Sequence, residues 1–281
     1  MMDSDSKKLS YGTEAAVAKI AERLKQQSTI LAAARQELMS QSDSRWKVVV
    51  PQLWAIQKSC GSVYFLSEKE QLIGCVVVSR CILEGAINVA YICGAGQPAA
   101  EKARRHALQK KYRDMRLYSE LKKSYLSESV PDISSLLDDD EFREIIDEFS
   151  TKKGHELPYW TPLSMHDRIN KIEEYYGRRI AGFFRFCTSA IFRHSSELLH
   201  GTYYGALYAL GEAPVSQNAR SPDDIRRWTR ENISTTMLLM IGLLDQIIGV
   251  LDTEVGIAEI HNNSDETVRK VAREITFTSD S

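Results

Sequence analysis

The stretch Ser221-Pro-Asp-Asp-Ile-Arg-Arg-Trp-Thr-Arg-Glu-Asn-Ile-Ser-Thr-Thr-Met-Leu-Leu-Met-Ile-Gly-Leu-Leu244 decides the fold. Ser221 can cap a first helical turn, Pro222 suits a position whose N–H is unpaired anyway, and Asp223 with Asp224 meets the positive end of the helix dipole. From Met237 to Leu244 the segment becomes apolar on most sides, so its middle must be enclosed by other elements. A helix over about 222–261 at the centre of a bundle follows. Ile233 to Leu244 runs for only 12 residues before Asp245, and Gln71 to Cys93 is interrupted by Arg80 and Glu84, whereas a bilayer span takes about 20 apolar residues. No membrane segment is predicted.

Outward from that core, prolines at 131, 158, 162, 214 and 222 mark breaks between periodic segments. Thr13 to Leu38 carries Ala16, Ile20, Leu24 and Leu31 at helical spacing with charges between them, which predicts an amphipathic helix. Pro51 fits the first turn of a helix over 51–66. Further helices are predicted over 69–93, 98–127, 165–176 and 178–210. There is no long period-two alternation, no Asn-Gly or Asp-Gly hairpin signal and no repeat. The predicted fold is therefore all-α, a multi-helix bundle of long helices. Its organisation reads as an N-terminal helix and linker over 1–44, a bundle over 45–262 with a charged helical insert near 98–150, and a flexible tail over 263–281.

A chain of 281 residues can bury about three quarters of its unfolded surface. With 43% hydrophobic and 26% charged residues, it is neither disordered nor fibrous in composition. A formal net charge of −2 excludes a whole-protein basic field, so a nucleic-acid partner would be held by a local patch. Glu101 to Lys123 offers one, with nine Lys or Arg against three acids, and Arg104, Arg105, Lys110 and Lys111 are its candidate RNA contacts. Asp132 to Glu148, with eight acids against one Arg, can neutralise that helix, and a solvated charged face is the commoner meaning of such a run. The five cysteines, at 60, 75, 81, 93 and 187, form no CxxC pair and predict reduced, unpaired thiols. Met1 to Ser10 holds no apolar run, so no secretory signal is predicted and the expected location is cytoplasmic.

The chemistry concentrates in Ile191-Phe-Arg-His-Ser-Ser-Glu-Leu-Leu-His-Gly-Thr-Tyr-Tyr204. On one continuous helix, Arg193, Ser196, Glu197, His200 and Tyr204 share a face. Gly201, Gly205 and Ala209 on the other side would let a second helix approach closely, which predicts an interior position and a buried polar stripe that demands partners. Arg80 and Glu84, spaced as an i, i+4 ion pair in an apolar helix, are one candidate. On the plainer view they pair with each other and with Ser or His across the bundle, fixing helix register.

Three motifs together, Arg80-Cys-Ile-Leu-Glu84-Gly-Ala-Ile-Asn-Val-Ala-Tyr91, Trp160-x-x-x-Ser164-x-x-x-Arg168 and Phe192-Arg193-x-x-Ser196-Glu-x-x-His200-Gly-Thr, resemble a bacterial helical family known only as a domain of unknown function. The likeness spans about residues 50–250 and lies close to the HEPN superfamily, helical dimers of which many are metal-independent ribonucleases in toxin and anti-phage systems. The resemblance implies a HEPN-like fold, a homodimer and an active site at the dimer interface. It places Arg193, His194 and His200 as the arginine, polar and histidine positions of the catalytic motif, with Ser196 beside them and Arg80, Glu84, Glu197 and Tyr204 in support. No cofactor or metal is implied; RNA is the substrate class, and an antitoxin or defence protein the further partner.

A histidine titrating near neutrality can take the proton of an RNA 2′-hydroxyl while an arginine holds the scissile phosphate. Three other readings stand beside this one. Glu197-x-x-His200 has the spacing of a di-iron ligand pair but lacks a second such step. Ser196 with His200 could serve a hydrolase, but no nucleophile elbow accompanies them. A non-catalytic interaction or sensor protein would use the stripe only for packing, and such a stripe would be wholly enclosed.

Overall fold

The computed structural model describes residues 8–125, 140–211 and 221–276. Outside them lie the last two residues of the 98–127 helix, the acidic run before Asp140, most of the connection after Gly211 and positions 277–281 of the tail. Within them the regular elements are helices, apart from a two-stranded parallel pair, β1 (Leu9–Ser10) with β2 (Ile275–Thr276), and an isolated antiparallel bridge between Ser150 and Glu156. The all-α expectation holds. The chain divides into two compact units, one formed from Met1–Gly94 with Met165–Ser281 and one from Ala95–Ser164.

In the first unit, α1 (Glu14–Leu38) begins at Thr13, whose hydroxyl accepts from Ala16 N at 3.2 Å. It buries Ile20, Leu24, Leu31 and Leu38 against α2 (Trp46–Glu68), α10 (Pro222–Val255) and α11 (Ala258–Glu274). This helix belongs to the core. α2 starts five residues before the predicted Pro51, which sits inside it. Only the first four N–H groups of a helix lack an intrahelical acceptor, so a proline at the sixth position removes a single hydrogen bond near the end, at a site where α1 holds the helix in place.

The α10 start is as predicted, with a complete capping box between Ser221 and Asp224 and Pro222 in the first turn. Met237, Met240, Ile241, Leu244, Ile247 and Leu251 are buried along it. It stops at Val255 rather than 261, because Gly256 adopts φ +71° and turns the chain into α11. The tail expected to fray beyond His261 is therefore a helix through Glu274, pinned by the bidentate pairing of Arg23 with Glu274. α3 (Leu72–Ala95) and α10 are both long and apolar enough to cross a membrane by composition, with mean hydropathies of 1.8 and 1.7 over their most apolar windows. Within the protein 78% of the α10 window and 50% of the α3 window are buried.

The second unit contains α4 (Gln97–Tyr125) and α5 (Asp140–Glu148). His106 meets Phe149 edge-on at 5.0 Å and bonds to Leu157 O at 3.2 Å, while Tyr112 meets Phe142 at 5.4 Å. The opposed charge runs do pair: Arg105 binds Glu148 at 2.8 Å, and Arg104 reaches Glu141 at 4.0 Å.

The largest departure from the sequence reading is the segment 178–210. It is not one helix but α7 (Arg178–Cys187), a π-helical turn over Thr188–Phe192, α8 (Arg193–Leu199) and α9 (Tyr203–Ala209). Gly201, at φ +60°, breaks the face that the stripe was to share. Gly205 does permit a close approach, but to the chain's own preceding turn: a Cβ there would lie 2.6 Å from Glu197 O.

Candidate functional site

The polar stripe divides into two parts. α3 carries Arg80, Glu84 and Asn88 at four-residue spacing, a single row on an otherwise apolar helix. Arg80 Nε donates to Glu84 Oε1 at 2.7 Å, which confirms the i, i+4 pair. Its guanidinium lies 4.2 Å from the Phe192 ring centre, so the contact across the unit is a cation–π one and not the Ser or His expected. Asn88 Oδ1 accepts from Arg168 Nη1, on α6 (Met165–Tyr176). Burial lowers the Arg168 guanidinium from its ordinary value, and charge on Glu84 and Tyr91 offsets part of that. Two arginines thus share one carboxylate and an amide on this row.

The π-helical turn joins this row to α8. One wider turn shifts the register of everything beyond it, and such bulges are frequent at functional sites. Here the turn sets Phe192 against Arg80 and leaves Arg193 exposed at the first position of α8. His194 points the other way. Its ring stacks on Tyr208 at 4.5 Å and 13°, and lies parallel to Tyr204 at 6.3 Å. Burial, then the charge of Arg193, lowers its pKa, and its buried Nδ1 has no hydrogen-bond partner among the described residues. Burial also pushes the Tyr208 hydroxyl up to about 12, so it remains a donor, to Asn232 Oδ1 at 3.0 Å.

The stripe is therefore not buried. Arg193 and His200 are exposed, while Ser196, Glu197 and Tyr204 are half-buried. His200 caps the C-terminal end of α8, its backbone N–H donating to Ser196 O at 3.0 Å. Glu197 accepts from the Thr202 hydroxyl at 2.6 Å, and Thr202 caps α9 through Gly205 N at 3.1 Å. Glu197 thus holds the α8–α9 corner. Among the described residues no three His, Cys, Asp or Glu side chains gather as a metal site. Arg193 sits 5.9 Å from the Tyr204 ring, so Arg193, His194 and Tyr204 form one cluster while His200 stands two turns further on.

A model of a family of unknown function, DUF5677, matches residues 47–214. The chain belongs to this family. No curated protein and no solved structure matches it. The DUF5677 span covers all three motifs quoted from the sequence, from Arg80 through Arg168 to His200. It excludes α1, α10 and α11; in this DUF5677 member α1 packs extensively against α2, and α10 and α11 pack against α1.

Sequence reasoning missed Asn88, Phe192, Tyr208 and Asn232 as site residues. Asn88 was legible as the next member of the Arg80, Glu84 row; Tyr208 was not, because its contact with His194 depends on the break at Gly201. On α4, Arg104 is held by Glu101 at 2.7 Å, Arg105 by Glu148, and Lys110 by Glu156 at 2.5 Å, while Lys111 is exposed. Carboxylates already occupy three of the four candidate RNA contacts.

Proposed function

We propose that this protein is a metal-independent endoribonuclease of HEPN type, serving as a toxin or anti-phage effector in the cytoplasm and completing its active site as a homodimer. The observation that carries this reading is the exposure of both Arg193 and His200 on one short helix. A stripe needed only for packing would be enclosed. Residues seven apart on a helix start roughly 10 Å apart along its axis, a gap that the length of an arginine side chain can span.

In the reaction, His200 takes the proton of a 2′-hydroxyl, the 2′-oxygen attacks phosphorus, and the 5′-oxygen leaves with a proton returned by an imidazolium. Arg193 binds the non-bridging oxygens whose charge grows in the transition state. The products are a 2′,3′-cyclic phosphate and a 5′-hydroxyl. The guanidinium groups of Arg80 and Arg168 favour the phosphate backbone, and Lys111 of the α4 set forms no ion pair among the described residues.

The second reading, a non-catalytic interaction or sensor protein with an antitoxin or defence partner, draws on His194, which is packed rather than presented. Incubation with total RNA in EDTA, followed by mapping of 2′,3′-cyclic phosphate ends, distinguishes the two. New ends made by the wild type and lost in Arg193→Ala support the nuclease. A wild type that makes none overturns it.

A further inference from the structure

A groove of about 450 Å³ lies between α1 and α2, in the first unit and on elements that the proposed chemistry does not use. Lys25 and Arg35 line it from α1, and Trp54, Lys58, Gly61 and Tyr64 from α2. Three cations line it, with no carboxylate among the lining residues. Among the described residues none of the three forms an ion pair: Lys25 lies over the Tyr64 ring at 5.5 Å and Lys58 over the Trp54 ring at 5.3 Å. Glu68, one turn beyond, bonds the Tyr64 hydroxyl and raises its pKa. A ring face holds a lysine in place but leaves its charge uncancelled.

Arg35 gives the second observation. Its Nε is buried and has no acceptor among the described residues, and a buried donor left unpaired costs free energy. A guanidinium lining the same groove as two further cations suits the forked recognition of a phosphate. Trp54 keeps half of its surface in water, an unusual amount for so large a ring. At Gly61 an added Cβ would meet nothing, so the floor of the groove is open. From Lys25 to Arg35 the site is roughly 15 Å long, and its volume falls within the range of small-ligand pockets.

We infer that the α1–α2 groove binds a nucleoside di- or triphosphate, with the phosphates between Arg35, Lys58 and Lys25 and the base against Trp54. The inference does not rest on the nuclease reading. Titration of the full chain with a fluorescent methylanthraniloyl ADP, followed by competition with unlabelled ADP, tests it directly.

Saturable binding, displaced by ADP, is expected. Arg35→Met and Gly61→Met should each weaken it about tenfold or more, the loss of one charge-assisted bond or of the space for a ring. Gly61→Met replaces a helical glycine by a better helix former, so its thermal midpoint should not fall. Four results would overturn the assignment: no saturable binding by the wild type, binding that survives both substitutions, inorganic pyrophosphate competing as well as ADP, or an oligouridylate competing better. A dimer that Gly61→Met dissociates would overturn it too, by making the groove a contact between copies.

Discussion

His194 and His200 are close in sequence and opposite in circumstance. His200 is exposed at the end of α8, so His200→Ala should abolish RNA cleavage while the melting temperature moves by no more than about 1–2 °C, as for most surface changes. His194→Ala removes the ring stacked on Tyr208, worth about 0.5–1.5 kcal/mol beyond its area, and calorimetry should find a fall of a few degrees. The reverse ranking of thermal losses would sink the catalytic assignment of His200. Asp245 gives a second test. It is buried in α10, where burial raises its pKa despite the 2.7 Å bond from Ser264 and the charges of His261 and Arg179, with Asp265 adding to the rise. A carboxyl whose folded pKa is raised penalises folding above its unfolded pKa, and the penalty vanishes as pH falls below that value. Asp245→Asn should therefore stabilise the fold at pH 8, by a margin in melting temperature that shrinks toward pH 4; a margin that grows on acidification would contradict this. Sequence alone identified Arg193 and His200 as chemistry-bearing but took them as buried, because helical periodicity is blind to a break that depends on one glycine at positive φ.

That break belongs to a run of short elements, α7, the π-helical turn, α8 and α9, where periodicity read one helix. The apolar period of α7 was legible. The π turn was not, since no residue type marks it and its register is set by packing: Phe183 of α7 lies against Gly242 of α10, and Phe192 lies under Arg80. A methyl added at Gly242 would fall within contact distance of the Phe183 ring. Gly242→Ala should cost about 1–3 kcal/mol through overpacking, with Phe183→Leu restoring part of the loss. Unchanged denaturant midpoints for Gly242→Ala would show that α7 can shift freely and that α10 does not position the site. Strong local chemistry, by contrast, made the α10 start readable to the residue: Ser221, Pro222 and Asp224 act within one turn and need nothing from the rest of the fold.

The whole chain was legible in class and less so in its ends. All-α architecture followed from the absence of strand signals, whereas the joining of α11 to α1 depends on contacts between residues some 240 apart in sequence, such as Gln27 with Ser264, which no local pattern encodes. Sedimentation at micromolar concentration should give a homodimer; a clean monomer would remove the composite active site. The five thiols are all unpaired, and only Cys81 is exposed. Burial pushes Cys60, Cys75 and Cys187 up to about 12 and raises Cys93 as well. A thiol reagent should therefore find one fast group in the native protein and five after denaturation; three or fewer after denaturation would reveal a disulfide.

The pairing of β1 with β2, and of Arg23 with Glu274, has a consequence for biosynthesis. α1 leaves the ribosome well before α10 and α11, two of the helices that cover it. At about 5–20 residues per second, the chain between Leu38 and Pro222 takes roughly 10–40 s to make. Through that interval the apolar face of α1 has only α2 to shelter it, and the nascent protein is exposed to chaperones and proteases. A message cut short after α9 would yield a product that carries every residue of the proposed active site and cannot close its core.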